Sequence, residues 1–148
     1  MGLDIWSEDD GKNFHISYFG FTDLKKGFLI SYDYDMYESY KLFIEAYVKG
    51  DEKTVERIDE MLQSHIPNDL LILINHSDVD GELDSFECKR LLPYLNINPK
   101  LIKEHMNNGE FLIKKMNEFK EMIEYGGTED VKMIFGWKPK DLYNTKTK

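Results

Sequence analysis

LLILINHSDVDGELDSFECKRLL, residues 70–92, decides how the rest of the chain is read. An apolar run stops at Asn75, carboxylates alternate about Gly81, and a second apolar pattern starts at Ser85. Five apolar residues in a row, 70–74, read as a strand. DSFE, 84–87, has the form of a capping box: Asp84 accepts from the Glu87 amide while Glu87 reaches back, so a helix starts there and ends near Pro93. Asp78 and Asp80 suit Asx turns around Gly81. Strand, carboxylate-rich turn and helix therefore follow one another in one short stretch, and the fold should mix a sheet with helices.

Toward the N-terminus, GLDIW (2–6) reads as a strand that enters the turn cluster SEDDGKN. NFHISYFGF (13–21) alternates aromatic and β-branched residues with period two, which predicts a second strand. Thr22 can cap a brief helical turn over DLKK, and GFLISYDY (27–34) is strand-like, with helix as the alternative. From Met36 the period changes. Tyr40, Phe43, Ile44 and Tyr47 share a helical face up to Gly50, and Asp51 or Thr54 opens a helix in which Val55, Ile58 and Leu62 share a face before Pro67.

Toward the C-terminus, Asn98-Pro99 starts a helix. The stripe Leu112, Met116, Phe119, Met122 and Ile123 marks another over 110–125, closed by Gly126-Gly127. VKMIFGW (131–137) is a last strand. Repeats, low-complexity segments and linkers are not evident. The order of elements predicts a single α+β domain over 1–137, with a small, mainly antiparallel sheet packed on one face by about five helices. A basic, flexible tail is expected at 138–148.

A chain of 148 residues can bury roughly two thirds of its unfolded surface without a metal or disulfide staple. Its 41% hydrophobic and 14% aromatic content is too high for a disordered chain. The net charge is −9. In the tail KPKDLYNTKTK four Lys against one Asp leave +3, so the first 137 residues carry −12. Such a field repels phosphate backbones and acidic lipid, which argues against direct nucleic-acid or membrane binding and for a basic protein partner. No apolar run reaches the roughly 18–20 residues of a membrane span, and the N-terminus fits no secretory signal. The single Cys88 forms no internal disulfide, so a reducing, cytoplasmic setting is expected, with the thiol buried.

His15 and His65 read as packing or capping residues. A Gly-rich phosphate loop, a G-x-S-x-G elbow and a C-x-x-C pair are all absent from the sequence. Aromatics are dense between Phe14 and Tyr40, and alternation within DYDMY (33–37) leaves Tyr and Asp exposed together, as a protein-binding face requires.

With Gly81 at its sixth place, 76–87 becomes a twelve-residue register: His76 first, Asp78 third, Asp80 fifth, Glu82 seventh, Leu83 eighth, Asp84 ninth and Glu87 twelfth. This resembles the EF-hand loop, in which alternate side chains surround a hard cation, Gly permits the central bend and the final Glu gives two oxygens. The resemblance implies Ca2+ or another divalent cation held by His76, Asp78, Asp80, Glu82, Asp84 and Glu87, the seventh residue through its carbonyl, with Leu83 anchoring the loop. His76 stands where that family has Asp, and its nitrogen suits zinc, copper or nickel. A strand ending in H-x-D-x-D-G before a helix is also similar to the first metal motif of the DHH phosphoesterases. That likeness implies metal-dependent phosphoester hydrolysis with further Asp and His ligands from later strands, whereas here the downstream His is only His105, on a helix, and no Asp-His-His run follows. NHSDVDG together with MGLDIW is similar to small proteins of unassigned function encoded by bacteria and their phages.

The expectation is a non-enzymatic, acidic, intracellular binding protein of the immunity or inhibitor type, without a catalytic site. A divalent-cation-binding module is the alternative, and a metal-dependent phosphoesterase the second.

Overall fold

The computed structural model describes residues 2–137; the tail at 138–148 lies outside the described residues. Among the described residues an antiparallel sheet of four strands, in the order β2 (Asn13–Ser17), β1 (Gly2–Ser7), β4 (Met133–Gly136), β3 (Gly81–Leu83), is joined by seven α-helices, some packed on the sheet and the others on neighbouring helices. β1 (Gly2–Ser7) and β2 (Asn13–Ser17) form a hairpin that pairs Leu3 with Ile16 and Ile5 with Phe14. These four face inward and are buried, whereas Asn13, His15 and Ser17 face out. The period-two pattern therefore meant what it predicted: one face of the sheet meets the helices and the other does not.

The second strand stops earlier than the alternation suggests. Ser17 takes the N-cap position and its hydroxyl accepts from the Gly20 amide, which starts α1 (Tyr18–Tyr32). The strand-like reading of 27–34 is thereby corrected to its helical alternative. Phe21, Leu24, Phe28 and Leu29 are fully buried, with Ile30 nearly so, so α1 is enclosed on several sides and shows no clean amphipathic stripe.

Asp33 ends α1 in an extended conformation and caps α2 (Tyr34–Lys49) through the Asp35 and Met36 amides. Gly50, at φ 75°, closes α2, and Asp51 caps α3 (Glu52–His65). The apolar run expected as a strand is instead the short helix α4 (Asn68–Ile74), in which Leu70 and Leu73 are fully buried and Leu71 and Ile74 nearly so. Pro67, just before it, has the fixed φ that suits a helix start.

β3 (Gly81–Leu83) is a three-residue edge strand, and the capping box of Asp84 and Glu87 opens α5 (Ser85–Leu91) as expected. A 3-10 turn (Leu92–Tyr94) and α6 (Pro99–His105, capped by Asn98) lead to α7 (Gly109–Glu129). At 21 residues α7 is about 31 Å long. It runs through Gly126-Gly127 instead of stopping there. β4 (Met133–Gly136) then inserts between β1 and β3, pairing Ile5 with Phe135 and Leu83 with Met133.

The core is centred on aromatic rings brought together from four elements. Phe119 of α7 lies 6.0 Å from Phe14, 6.3 Å from Phe21 and 6.0 Å from Phe28, and Phe21 in turn contacts Phe135 at 6.1 Å. The contacts to Phe14 and Phe135 are edge-on, as ring quadrupoles favour, and the other two are tilted.

Candidate functional site

The segment 75–84 is fastened to α1 by a buried lysine. Lys25 sits on α1 four residues after Phe21 and three before Phe28, on the face that enters the core. Its side chain is 6% exposed, and its Nζ donates to the His76 carbonyl at 2.6 Å and to Asp78 Oδ1 at 2.9 Å. The ammonium also lies 4.9 Å from the centre of the Phe21 ring. Burial holds Lys25 below the usual lysine range, against the raising effect of the hydrogen bond and charge of Asp78. The cation nearest the loop's first and third positions is thus the chain's own ammonium.

The remaining candidate ligands are dispersed. His76 sets its ring 3.9 Å from that of Phe135 and has Ser77 O 2.9 Å from its Nδ1. The tight turn belongs to Ser77, whose hydroxyl accepts from the Val79 and Asp80 amides, and not to Asx turns of Asp78 and Asp80. Glu82 forms an ion pair with Lys132 at 3.6 Å. Asp84 and Glu87 exchange their two capping hydrogen bonds at 2.8 and 3.0 Å. Gly81 takes φ 109° at the bend of the segment, and Leu83 is buried, 1% exposed. Among the described residues no three His, Cys, Asp or Glu side chains converge so as to hold a metal ion. His105 lies against Tyr34, with ring centres 4.9 Å apart.

Beside Lys25 and Asp78 a polar cleft of about 320 Å3 is walled by Tyr40, Asp59, Gln63 and Asn75. Gln63 and Asn75 join their amides by two hydrogen bonds of 2.9 and 3.1 Å, which ties the end of α4 to α3. Burial, with the charge of Asp78 adding, pushes the Tyr40 hydroxyl up to about 12. Cys88 is fully buried under α7 and burial likewise pushes its thiol up to about 12, which leaves it neutral and inert as a nucleophile. The sequence reading missed Lys25 altogether. The available signal was a Lys on the apolar face of FTDLKKGFL.

A second grouping forms at one end of the sheet. Glu8, Asp9 and Asp10 occupy the β1–β2 turn, Glu82 lies on β3, and Glu121, Glu124, Glu129 and Asp130 lie on the last turns of α7 or just after it; all are exposed. Lys132 draws the segments together: its Nζ is 3.9 Å from Glu8 and 3.6 Å from Glu82, and its carbonyl accepts from the Glu8 amide at 2.9 Å. The Tyr125 hydroxyl donates to Asp9 at 2.7 Å. Hydrogen bonds from Ser7, Tyr125 and the Gly11 amide hold the Asp9 carboxyl below the usual range. Lys12 and Lys132 are set among these acids, with Lys89 at the margin, so the end of the sheet is strongly negative.

Among the described residues no helix is long and apolar enough to cross a membrane. The chain matches no protein-family model, no curated protein and no solved structure.

Proposed function

We propose that the chain is an acidic binding protein, of the immunity or inhibitor type, that works in the cytoplasm by covering a basic surface on a partner protein. The observation that carries this reading is the gathering of Glu8, Asp9, Asp10, Glu82, Glu124 and Glu129 at one end of the sheet from segments far apart in sequence. Like charges brought together cost stability, and a surface that keeps them is suited to an oppositely charged partner, whose approach it accelerates.

The test is capture of a partner by the full chain and by a Glu8→Lys/Glu82→Lys double variant. The expected result is one basic protein whose association rate falls at least tenfold between 0.05 and 0.5 M salt, and which the double variant, folded to the same melting temperature, binds at least tenfold more weakly. Association indifferent to salt, or no associated protein, would remove the reading.

A further inference from the structure

A groove of about 450 Å3 lies where the end of β2, the first turns of α1 and the start of α7 meet. Two aromatic rings flank it, Phe19 at 88% and Phe111 at 59% exposure. One exposed Phe needs no explanation; two on the lining of a single groove give it apolar surface that the core does not use, beside the polar groups of His15, Asp23, Asn107, Asn108 and Lys115.

The charges in the groove are unequal. Lys115 is already engaged: its Nζ donates to the His15 carbonyl at 2.9 Å and pairs with Glu118 at 3.5 Å. His15 is held by Asp4, 2.7 Å from its Nδ1. Asp23 is half-buried, and its only charge relief among the described residues comes from Lys26, one turn along the same helix. Desolvation outweighs that relief and raises the Asp23 carboxyl above its ordinary range. Asp23 stands six residues beyond the Ser17 cap, about 9 Å along the axis, past the first turn to which the positive end of a helix is confined. The groove thus offers the exposed Phe19 ring, the Phe111 ring with Lys115 Nζ 5.8 Å from its centre, and a carboxylate lacking a close counter-ion.

We infer that this groove receives an arginine side chain of the partner protein, its guanidinium paired with Asp23 and its aliphatic stem lying between Phe19 and Phe111. Arginine fits because its planar head bonds a carboxylate with two parallel N–H groups and stacks on rings, while its methylenes cover apolar surface. A phosphate or carboxylate would instead meet the Asp23 charge. The inference rests on the reading of a basic partner and names the place where one of its side chains is held.

The experiment is an amide NMR titration of the full chain with the peptide Gly-Ser-Arg-Gly-Ser and with its counterpart carrying neutral citrulline. The expected result is saturable shifts confined to residues 17–23 and 107–115, at least tenfold weaker with citrulline and in Asp23→Asn. Phe111→Ala, at an exposed position outside the core, should weaken binding severalfold. Shifts at the acidic end alone, equal binding of the citrulline peptide, indifference to Asp23→Asn, or no shifts would each overturn the inference. Binding seen only after residues 138–148 are removed would assign the groove to the chain's own lysines and overturn it too. The two proposals fail separately: partner capture lost on Glu8→Lys/Glu82→Lys but unchanged in Asp23→Asn defeats the groove alone, and capture of no basic protein defeats the broader reading.

Discussion

Lys25 and Asp78 share one ion pair unequally, since the lysine side chain is 6% exposed and the aspartate 43%. Removing the exposed partner strands a buried charge, whereas removing the buried one leaves a carboxylate that water can reach. Asp78→Ala should therefore cost about 3 kcal/mol and Lys25→Met about 1 kcal/mol or less, by urea unfolding at pH 7. The reverse order would show that the pair is not seated as described. Tyr40 gives a pH dependence of definite sign. Its hydroxyl is pushed from 10.0 up to about 12, so between those values the unfolded chain has lost the proton that the native chain keeps, and stability falls as pH rises. Lys25 acts in the opposite direction: with its native value depressed, stability rises with pH up to about 10.5. Comparing wild type with Tyr40→Phe isolates the tyrosine. The two should differ little at pH 7, and the variant should be more stable by about 1.4 kcal/mol at pH 11. At this scale the DSFE cap was legible because its partners lie three residues apart. Lys25 was not, because its partners lie 51 and 53 residues away.

Sequence periodicity failed for two elements, and for the same reason. α1 and α4 are enclosed on several sides, so the apolar stripe that identifies a helix is replaced by a continuous apolar run. α2, α3 and α7 each leave one face in water and were visible. The end of α7 was misplaced because Gly126-Gly127 has the composition of a stop, yet these residues serve close packing. A Cβ on Gly126 would stand 2.9 Å from Cys88 Sγ and 3.0 Å from Met133 Cε, both in buried residues. A Cβ on Gly127 would meet the flexible Lys89 side chain at 3.1 Å. Gly126→Ala should accordingly cost about 1–3 kcal/mol by overpacking. Gly127→Ala should be neutral or stabilising by up to about 1 kcal/mol, from its better helix propensity. Thermal unfolding of the two variants checks this, and equal losses in both would mean that the glycines are needed for backbone freedom and not for space.

For the whole molecule the governing quantity is the charge of −12 on residues 1–137 against +3 on the tail. If the acidic body steers a basic partner, deleting 138–148 removes an opposing charge. Association with that partner should then quicken severalfold at low salt and become more salt-dependent, with little change in dissociation. Stopped-flow rates of the full and shortened chains at two ionic strengths provide the measurement. A slower association for the shortened chain would show that the tail contributes attraction of its own.

Sequence alone determined the α+β class, the hairpin, the helices α2, α3 and α7, the capping box and the bend at Gly81. Each depends on residues within one or two turns of one another, where propensity, periodicity and capping operate. Tertiary structure alone decided the helical state of 18–32 and 68–74, the role of Gly126 and the surroundings of the loop. The register 76–87 spaces its carboxylates suitably for a cation, but spacing does not say what stands beside them. Folding brings Lys25 to Asp78 and Lys132 to Glu82, and turns Asp84 and Glu87 toward each other's backbone amides. The physical reason is that a carboxylate takes the nearest positive charge or N–H donor, and which one is nearest is settled by the packing of elements fifty residues apart.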